Sequence, residues 1–557
     1  MPSPMPPRKG VRPASILGMA ERVRRLRAEE DVVRQGGGAA AAARQHGKNR
    51  RTARERVAGL LDPGTQFLEL GLWAGWGLYA EWGGAPAAGV VCGLGRVSGR
   101  WTMVIANDAT VKAGAFFPMT VKKVLRCQTI ALENRLPLIY LVDSSGVFLP
   151  LQDEVFPDID DFGRVFRHNA VASARGIPQI AAIMGNCVAG GAYLPVMCDT
   201  ILMTEGSGLY LAGPALVQAA IGQRVTSDEL GGAGLHAALS GTADFREPND
   251  EACLARIRAL MGRLAPAPAS PFDRIAASEP TRPAADLYRI FPDDPQQPYD
   301  VRDLLACIID AGGASDQAFD EYRPEFGQTI VCGYGRLGGF AVGIVANQKR
   351  TVKRTTVSGA KRLEFGGVIY PESADKAARF IMDCNQSRIP LLFFHDVNGF
   401  MVGKEMEAAG IIRSGAKMVN AVANSVVPKL AVILGGSFGA GNYAMCGRAY
   451  DPRFLFVWPT ARFAVMGGEQ AANTLLEIKV RQLEKTGHAL SPQEREELLA
   501  GIRASYEEHT DPRYAAARLW VDAILDPIET RTHLIAALEV AALNPDVPPF
   551  RTGVLQT

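Results

Sequence analysis

Two stretches of this chain are copies of one another, and each joins an apolar run to a glycine-rich turn. Pro178–Gly191 reads PQIAAIMGNCVAGG, and Pro428–Gly441, 250 positions later, reads PKLAVILGGSFGAG. A short apolar run followed by a glycine-rich turn is typical of a buried strand that leads into a helix. Because the shift is far longer than the repeat of a solenoid, the pair indicates two copies of one whole domain.

Other matching segments follow in the same order along both halves. Val91–Arg96 matches Val331–Arg336 at a shift of 240, and Arg135–Asp143 matches Arg388–Asp396 at a shift of 253. Apolar runs with little alternation predict strands that are covered on both faces, and longer periodic segments predict helices. Alternating strands and helices predict an α/β fold with largely parallel sheets. The clearest strands are Leu138–Val142 and Ile180–Met184, and the clearest helices are Ala20–Gln35, Ala115–Asn134 and Lys404–Asn424.

Proline-rich segments separate the two copies. Leu264–Pro271 and Phe291–Pro298 are rich in proline and polar residues, which interrupt both helices and strand pairing. The sequence therefore predicts three parts: a peripheral arm over 1–45, a first domain over 46–290 and a second domain over 291–557.

Composition narrows the class of protein. The 557 residues carry a formal net charge of +2, which argues against a nucleic-acid binder with a wide cationic face. Nine single cysteines without a Cys-x-x-Cys pair indicate neither a metal site nor a disulfide framework, and most are expected to be buried as small apolar side chains. No apolar run approaches the roughly 20 residues that cross a bilayer, and the N-terminus lacks a secretory core. A cytoplasmic protein with a small-molecule activity is expected.

The two glycine-rich turns are the candidate reactive sites. Gly190–Gly191 and Ala440–Gly441 occupy equivalent positions, where small residues let a ligand approach the backbone and free N–H groups at a helix start can face a developing oxyanion. The alternative is a packing turn between strand and helix. Neither turn has the pattern of a dinucleotide or phosphate loop. Two equivalent turns favour a functional interpretation.

Several stretches between about residue 47 and the C-terminus carry a family resemblance. They include Val155–Asp158, Ala189–Tyr193, Leu211–Pro214, Asp228–Ala233, Gly399–Gly403, Gly435–Tyr450 and Val465–Ala472. In these stretches the chain resembles the carboxyltransferase β subunit of biotin-dependent acyl-CoA carboxylases, in the 3-methylcrotonyl-CoA carboxylase branch. The resemblance implies two tandem crotonase-like (ClpP/crotonase) domains that arose by internal duplication.

The resemblance also implies a reaction, in which a carboxyl group moves from N1′ of carboxybiotin to an acyl-CoA thioester. It assigns the amides of Gly190 and Gly191 to the thioester enolate, and those of Ala440 and Gly441 to the ureido oxygen of biotin. Biotin itself would then be the base, and no side-chain nucleophile is needed. Since the chain lacks a biotin-attachment Ala-Met-Lys-Met motif, biotin is expected on a partner chain.

Two further groups are candidates for binding. Phe438, Gly439 and Tyr443 flank the second turn and are candidates for the biotin pocket, with core packing as the alternative for the aromatic residues. A basic segment follows Asn347 and either binds the phosphates of CoA or forms a solvated loop. Its cations are Lys349, Arg350, Lys353, Arg354, Lys361 and Arg362.

Other polar residues are expected to be structural. Asp143 and Asp396 end apolar strands at repeated positions and are interpreted as turn or cap residues rather than catalytic ones. His236 and His395 have no partner at a characteristic spacing. Lys122–Lys123 lies on a predicted helical face that is either functional or merely solvated.

The resemblance leaves the substrate and the assembly open. Asp143–Gly146 reads DSSG where the methylcrotonyl pattern reads DSGG, which indicates a changed acyl pocket. Besides 3-methylcrotonyl-CoA, the alternatives are propionyl-, acetyl- or geranyl-CoA carboxylation, an acyl-CoA decarboxylase subunit and a non-enzymatic scaffold. The implied partner is an α subunit with biotin carboxylase and biotin carboxyl carrier parts, and the implied assembly is a homo-oligomer, a β hexamer in an α6β6 holoenzyme, with neither nucleic acid nor membrane as partner.

Overall fold

The computed structural model describes residues 18–312, 318–355, 361–485 and 490–555. The start of the predicted arm and the tip of the basic segment therefore lie outside the described residues. Two eight-stranded sheets dominate the fold, one in each half of the chain. The strands of the first sheet are β1 (Leu68–Leu70), β2 (Val90–Val97), β3 (Arg100–Asn107), β4 (Leu138–Ser144), β5 (Gln179–Val188), β6 (Thr200–Thr204), β7 (Gly208–Tyr210) and β8 (Phe245–Glu247).

The strands of the second half include two short additional pairs beside the large sheet. They are β9 (Phe319–Tyr322), β10 (Ile330–Leu337), β11 (Phe340–Asn347), β12 (Val352–Thr355), β13 (Lys361–Glu364), β14 (Val368–Ile369), β15 (Leu391–Val397), β16 (Gly399–Phe400), β17 (Lys429–Phe438), β18 (Phe454–Val457), β19 (Arg462–Ala464) and β20 (Ala523–Ile524). The antiparallel pair β12–β13 is formed by the basic segment, and β14 pairs with β16.

The two large sheets have the same topology. The strand order is β1-β2-β3-β4-β5-β6-β8 in the first and β9-β10-β11-β15-β17-β18-β20 in the second, with β7 and β19 each added to the long central strand. In both sheets the first three strands pair antiparallel and the others pair parallel. The prediction of an α/β fold from an internal duplication is confirmed, with an antiparallel edge on each sheet.

Helices cover the sheets and fill the connections. They are α1 (Met19–Arg34), α2 (Ala39–His46), α3 (Ala53–Leu60), α4 (Pro118–Asn134), α5 (Phe162–Ala174), α6 (Tyr193–Val196), α7 (Pro214–Ile221), α8 (Ser227–Gly231), α9 (Ala233–Ala238), α10 (Asp250–Gly262), α11 (Leu287–Ile290), α12 (Val301–Leu305), α13 (Pro371–Gln386), α14 (Lys404–Ala408), α15 (Ile411–Ala423), α16 (Gly439–Ala444), α17 (Gly468–Lys485), α18 (Pro492–Thr510), α19 (Pro512–Ala517) and α20 (Thr530–Ala541).

Strand β4 shows why the apolar runs lack alternation. Leu138, Tyr140 and Val142 belong to one core cluster, whereas Ile139 and Leu141 belong to another on the opposite face of the sheet. Both faces are therefore buried, as the sequence predicted for a parallel strand. Eight of the nine cysteines are likewise buried, and all nine are free thiols.

One predicted helix and one lysine differ from the prediction. The segment predicted as one helix over Lys404–Asn424 forms α14 and α15, because Gly410 between them has a left-handed φ of 82°. Lys123 on α4 is not solvated, which corrects that alternative: it is fully buried and donates to the carbonyl oxygens of Ala87 (3.0 Å) and Val90 (2.6 Å). Among the described residues, no helix has the length and apolarity to cross a membrane.

Candidate active site

Each half of the chain carries a strand–turn–helix unit at the same place in its sheet. Strand β5 ends at Val188 and continues into a 3₁₀ turn, Ala189–Ala192, which we call the first cradle. Strand β17 ends at Phe438 and continues into the start of α16, Gly439–Asn442, which we call the second cradle. Both cradles begin with a left-handed residue, since φ is 59° at Ala189 and 52° at Gly439.

The second cradle exposes backbone donors at a helix start. The first N–H groups of an α-helix have no carbonyl one turn earlier in the same helix, and Ala440 and Gly441 lie in this first turn of α16. Gly190 and Gly191 hold the equivalent places in the first cradle, where the tighter 3₁₀ turn precedes the short helix α6. The four residues that the sequence singled out are therefore brought to matching positions, and their catalytic role stays a prediction.

A glycine loop faces each cradle; the sequence linked the first, Asp143–Gly146, to the acyl pocket but gave the second, at Gly399, no role. A Cβ atom built on Gly191 would lie 3.7 Å from Cα of Gly146, and one built on Gly441 would lie 3.2 Å from Cα of Gly399. Gly146 and Gly399 have left-handed φ values of 90° and 126°, which favour glycine. Gly146 and Gly399 are 253 positions apart, as Asp143 and Asp396 are, so the repeat in the sequence could have identified both glycines.

Asp143 and Asp396 lie at equivalent bulges, and each carboxylate accepts hydrogen bonds from the protein. The register of β4 against β5 shifts at Asp143, and that of β15 against β17 shifts at Asp396. Each carboxylate accepts a hydrogen bond from the backbone N–H that follows the first glycine of the glycine-rich turn. Asn186 donates to Asp143 (3.2 Å), and Gly436 donates to Asp396 (2.9 Å). Both residues therefore lie in strands, at bulges, and not in the turns or helix caps that the sequence predicted.

Buried cations complete the two bulges. Arg56 donates to Asp143 (3.1 Å), and Lys349 lies 2.8 Å from Asp396 with only 9 % of its side chain exposed. The phenol of Tyr299 donates to the other carboxylate oxygen of Asp396 (3.2 Å), and burial together with this negative charge raises the pKa of Tyr299. The Lys349 ammonium is thus engaged within the protein.

The other predicted CoA-binding cations differ in whether they form ion pairs with neighbouring acidic residues. Arg350 pairs with Asp300 (3.1 Å) but remains 63 % exposed, and Arg354 pairs with Glu372 (2.5 Å). Lys353 is exposed and has no ion pair with the described residues. The prediction that this segment binds CoA phosphates stays open for Arg350 and Lys353.

Two cavities adjoin the second cradle. One has a volume of about 680 Å³ and is lined by Phe438, Gly436, Tyr299 and Asp396, among others. The other, about 470 Å³, is lined by Tyr443 together with Tyr450. Phe438 and Tyr443 therefore face different cavities. Tyr193, at the first cradle, is 53 % exposed, and its role in shaping a pocket stays a prediction like theirs.

Both histidines that the sequence treated as structural have internal partners. His236 contacts Ser240 Oγ (2.8 Å) and the carbonyl oxygen of Leu209 (2.7 Å). His395 is fully buried and contacts Ser437 Oγ (3.2 Å). Burial lowers the pKa of His395 to about 3, although the backbone of Met445 partly opposes this effect. His395 is therefore neutral at physiological pH.

The chain is similar to known proteins over most of its length. A family model described as the carboxyl transferase domain matches residues 44–553. The biotin-dependent 3-methylcrotonyl-coenzyme A carboxylase beta1 subunit of Mycobacterium tuberculosis is 49 % identical over 88 % of each chain. A probable methylcrotonoyl-CoA carboxylase beta chain of Drosophila melanogaster is 45 % identical over 97 % of this chain and 92 % of its own.

A solved structure extends the similarity to three dimensions. The crystal structure of the geranyl-CoA carboxylase beta subunit of P. aeruginosa superposes with a TM-score of 0.82 at 37 % identity. The match covers 97 % of this chain and 96 % of the other. The similarity thus spans both sheets and both cradles.

Proposed function

This chain belongs to the carboxyl transferase family, and we propose that it is the carboxyltransferase subunit of a biotin-dependent acyl-CoA carboxylase whose substrate is 3-methylcrotonyl-CoA or a close analogue. The substrate assignment is supported by 49 % and 45 % identity to chains named for methylcrotonyl-CoA, against 37 % for the geranyl-CoA structure.

The pair of cradles carries the proposal. Carboxyl transfer between a biotin and a thioester passes through two oxyanions of similar kind, one on each reactant. A duplicated fold that presents one set of backbone donors in each copy provides a separate site for each. Preformed amide donors in a site that excludes water lower such a barrier by about 3 kcal/mol for each donor.

We assign Gly190 and Gly191 to the thioester side, and Ala440 and Gly441 to the biotin side. Glycine is required at position 441, because a Cβ there would come within 2.7 Å of the Val397 side chain. The free N–H groups at the start of α16 are the donors that we assign to the flat ureido group. Phe438 lines the cavity of about 680 Å³ and Tyr443 lines the separate cavity of about 470 Å³. We propose both aromatic residues, with Gly439 between them in sequence, for the biotin side. Biotin would supply the carboxyl group and, once decarboxylated, the base.

The phosphates of CoA are assigned to the exposed part of the basic segment. Arg350 and Lys353 face solvent, whereas Lys349 stabilises the bulge at Asp396 and Arg354 is engaged by Glu372. We therefore restrict the phosphate-binding role to Arg350 and Lys353. Attraction between exposed charges and phosphate is screened over about 8 Å at physiological salt.

Partners follow from the same proposal. The biotin-binding role requires a biotinylated carrier on another chain, and we propose an α subunit with biotin carboxylase activity. We propose further that the chain forms a hexamer within a holoenzyme of six α and six β chains. Location in the cytoplasm stays a prediction.

Reconstitution with a biotin carboxylase and carrier subunit tests the activity. ATP-dependent fixation of labelled bicarbonate would be measured with 3-methylcrotonyl-, geranyl-, propionyl- and acetyl-CoA at equal concentrations. The proposal expects the highest kcat/KM with 3-methylcrotonyl-CoA. A preference for geranyl-CoA would keep the reaction class and change the substrate, whereas no fixation with any thioester would refute the proposed function.

A further inference from the structure

The two cradles differ in one buried feature. In the second copy, Asn442 Nδ2 donates to Ser437 Oγ (2.8 Å), and Ser437 Oγ lies 3.2 Å from His395 Nδ1. The serine hydroxyl has one hydrogen and two acceptor sites, so besides accepting from the amide it can donate to Nδ1 or accept from it, depending on the tautomer of the imidazole. The three side chains form a continuous polar chain.

This chain connects the two sides of the second cradle. Ser437 is the last but one residue of β17, and Asn442 directly follows Gly441 in the first turn of α16. His395 lies on the neighbouring strand β15, next to Asp396, which accepts the N–H of Gly436. Hydrogen bonds on both sides of the turn therefore limit how far the Ala440 and Gly441 amides can move relative to the sheet.

Burial makes the chain sensitive to any missing partner. His395 and Ser437 are 0 % and 1 % exposed, so water cannot replace a lost partner. A buried polar group that loses its partner destabilises the arrangement that buries it. A local rearrangement of the turn is one way in which the structure can relieve that destabilisation.

The first copy has no such chain. The positions equivalent to His395, Ser437 and Asn442 are Val142, Cys187 and Ala192. Cys187 Sγ donates only to the carbonyl oxygen of Gly191, at 3.4 Å. Since the two copies share strand order, bulge, cation and facing glycine, the polar chain is a specific addition to the second cradle.

We propose that His395, Ser437 and Asn442 are positioning residues that hold the second cradle in the geometry its oxyanion requires. The inference rests on the proposed function, because the oxyanion is that of the reactant bound at Gly441. None of the three side chains is required to touch that reactant. A displacement of about 1 Å in a reacting geometry can cost on the order of 100-fold in rate, so small movements of the turn suffice.

The test uses carboxyl transfer from the carboxylated acyl-CoA product to free biotin, catalysed by the purified chain. Ser437→Ala and Asn442→Ala are expected to lower kcat/KM for biotin by about 10- to 100-fold, with KM for the thioester within twofold of the parent value. Ser414→Ala is the matched control: Ser414 is also buried in this half, and its hydroxyl has no partner among the described residues. The Ser414→Ala variant should have the same kcat/KM for biotin as the parent chain.

A conservative pair distinguishes positioning from bulk packing. His395→Asn keeps a hydrogen-bonding group at the δ position and should retain most of the activity, whereas His395→Val, which has the residue of the first copy, should behave like Ser437→Ala. Since His395 is neutral far above its pKa of about 3, the biotin-side pH profile between pH 6 and 9 should keep its shape in His395→Asn.

A second readout needs neither biotin nor turnover. Amide hydrogen exchange over 438–446 should be faster in Ser437→Ala than in the parent, and unchanged in Ser414→Ala. Three results would overturn the positioning role. They are an equal loss of kcat/KM in His395→Asn and His395→Val, equal effects of Ser437→Ala on the kinetics of biotin and of the thioester, or unchanged amide exchange in Ser437→Ala. A parent chain that transfers no carboxyl group in either direction would instead refute the proposed function.

Discussion

Asp522, in the second half of the chain, accepts two hydrogen bonds of 2.8 Å from Arg126 in the first half. Both side chains are almost fully buried, and Arg448 adds a third contact to the same carboxylate (3.2 Å). Removing one partner of a buried ion pair leaves an unpaired charge, which costs about 3–5 kcal/mol. We therefore expect Asp522→Asn to lower the thermal unfolding midpoint by several degrees in differential scanning calorimetry.

An exposed pair provides the control for this change. Arg135 and Asp546 lie 3.2 Å apart, and the Asp546 side chain is 74 % exposed. Exposed pairs contribute about 0–1 kcal/mol, so Asp546→Asn should leave the midpoint nearly unchanged. If the two substitutions shifted the midpoint equally, the buried pair would not be a major link between the halves.

The same carboxylate gives a prediction for acid stability. Burial would raise the pKa of Asp522, but the charges of Arg126 and Arg448 outweigh it and lower the pKa to about 2. A carboxyl group with a lowered folded pKa stabilises the fold above its unfolded value of 3.8, and this stabilisation is lost as the pH falls towards 2. The difference in unfolding midpoint between parent and Asp522→Asn should therefore shrink as the pH falls from about 5 to 2.

Valine at the central glycines should separate the two sides of the reaction. Gly191→Val should obstruct thioester enolisation, measured as exchange of the acidic substrate proton with solvent, and leave decarboxylation of free carboxybiotin largely intact. Gly441→Val should damage the biotin side instead, since its side chain would collide with Val397. Gly501→Val is the control, because that glycine lies on α18 with no atom within 4 Å of its built Cβ. Equal loss of both partial reactions in two folded variants would contradict the assignment.

The duplication explains how much could be predicted from the sequence. Strands, turns and bulges recur at nearly constant shifts, so repeated backbone positions such as Gly190–Gly191 and Ala440–Gly441 could be placed without a structure. Side-chain partners could not, because they come from distant segments. Lys349 precedes Asp396 by 47 positions, and Lys123 reaches carbonyl oxygens more than 30 positions earlier. Both lysines therefore looked like free surface cations in the sequence.

The CoA phosphate assignment predicts a salt-dependent contact. Changing Arg350 and Lys353 to Ser should weaken binding of acyl-CoA and have little effect on the 3′-dephospho analogue, as measured by isothermal titration calorimetry. The difference in acyl-CoA affinity between parent and variant should become smaller at higher salt, because exposed charges are screened. Arg44 and Lys48, exposed cations near α2, provide a double Ser control of equal charge. An unchanged affinity ratio between the two thioesters would show that these cations do not bind the 3′-phosphate.

Assembly is the last prediction, and the surfaces around the cradles support it. Large apolar side chains are exposed at both sites, including Tyr193 and Leu211 at the first and Tyr443 and Val465 at the second. Exposed apolar clusters of this kind mark interaction sites, and two homologous domains can pair across a twofold axis in a closed arrangement. If the first cradle of one chain meets the second cradle of another, a lone chain has only half-sites. Light scattering should then give about six times the 59.7 kDa chain mass, and the purified chain should fix no bicarbonate with ATP until a biotinylated partner is added. An active monomer would show that each chain contains a complete site.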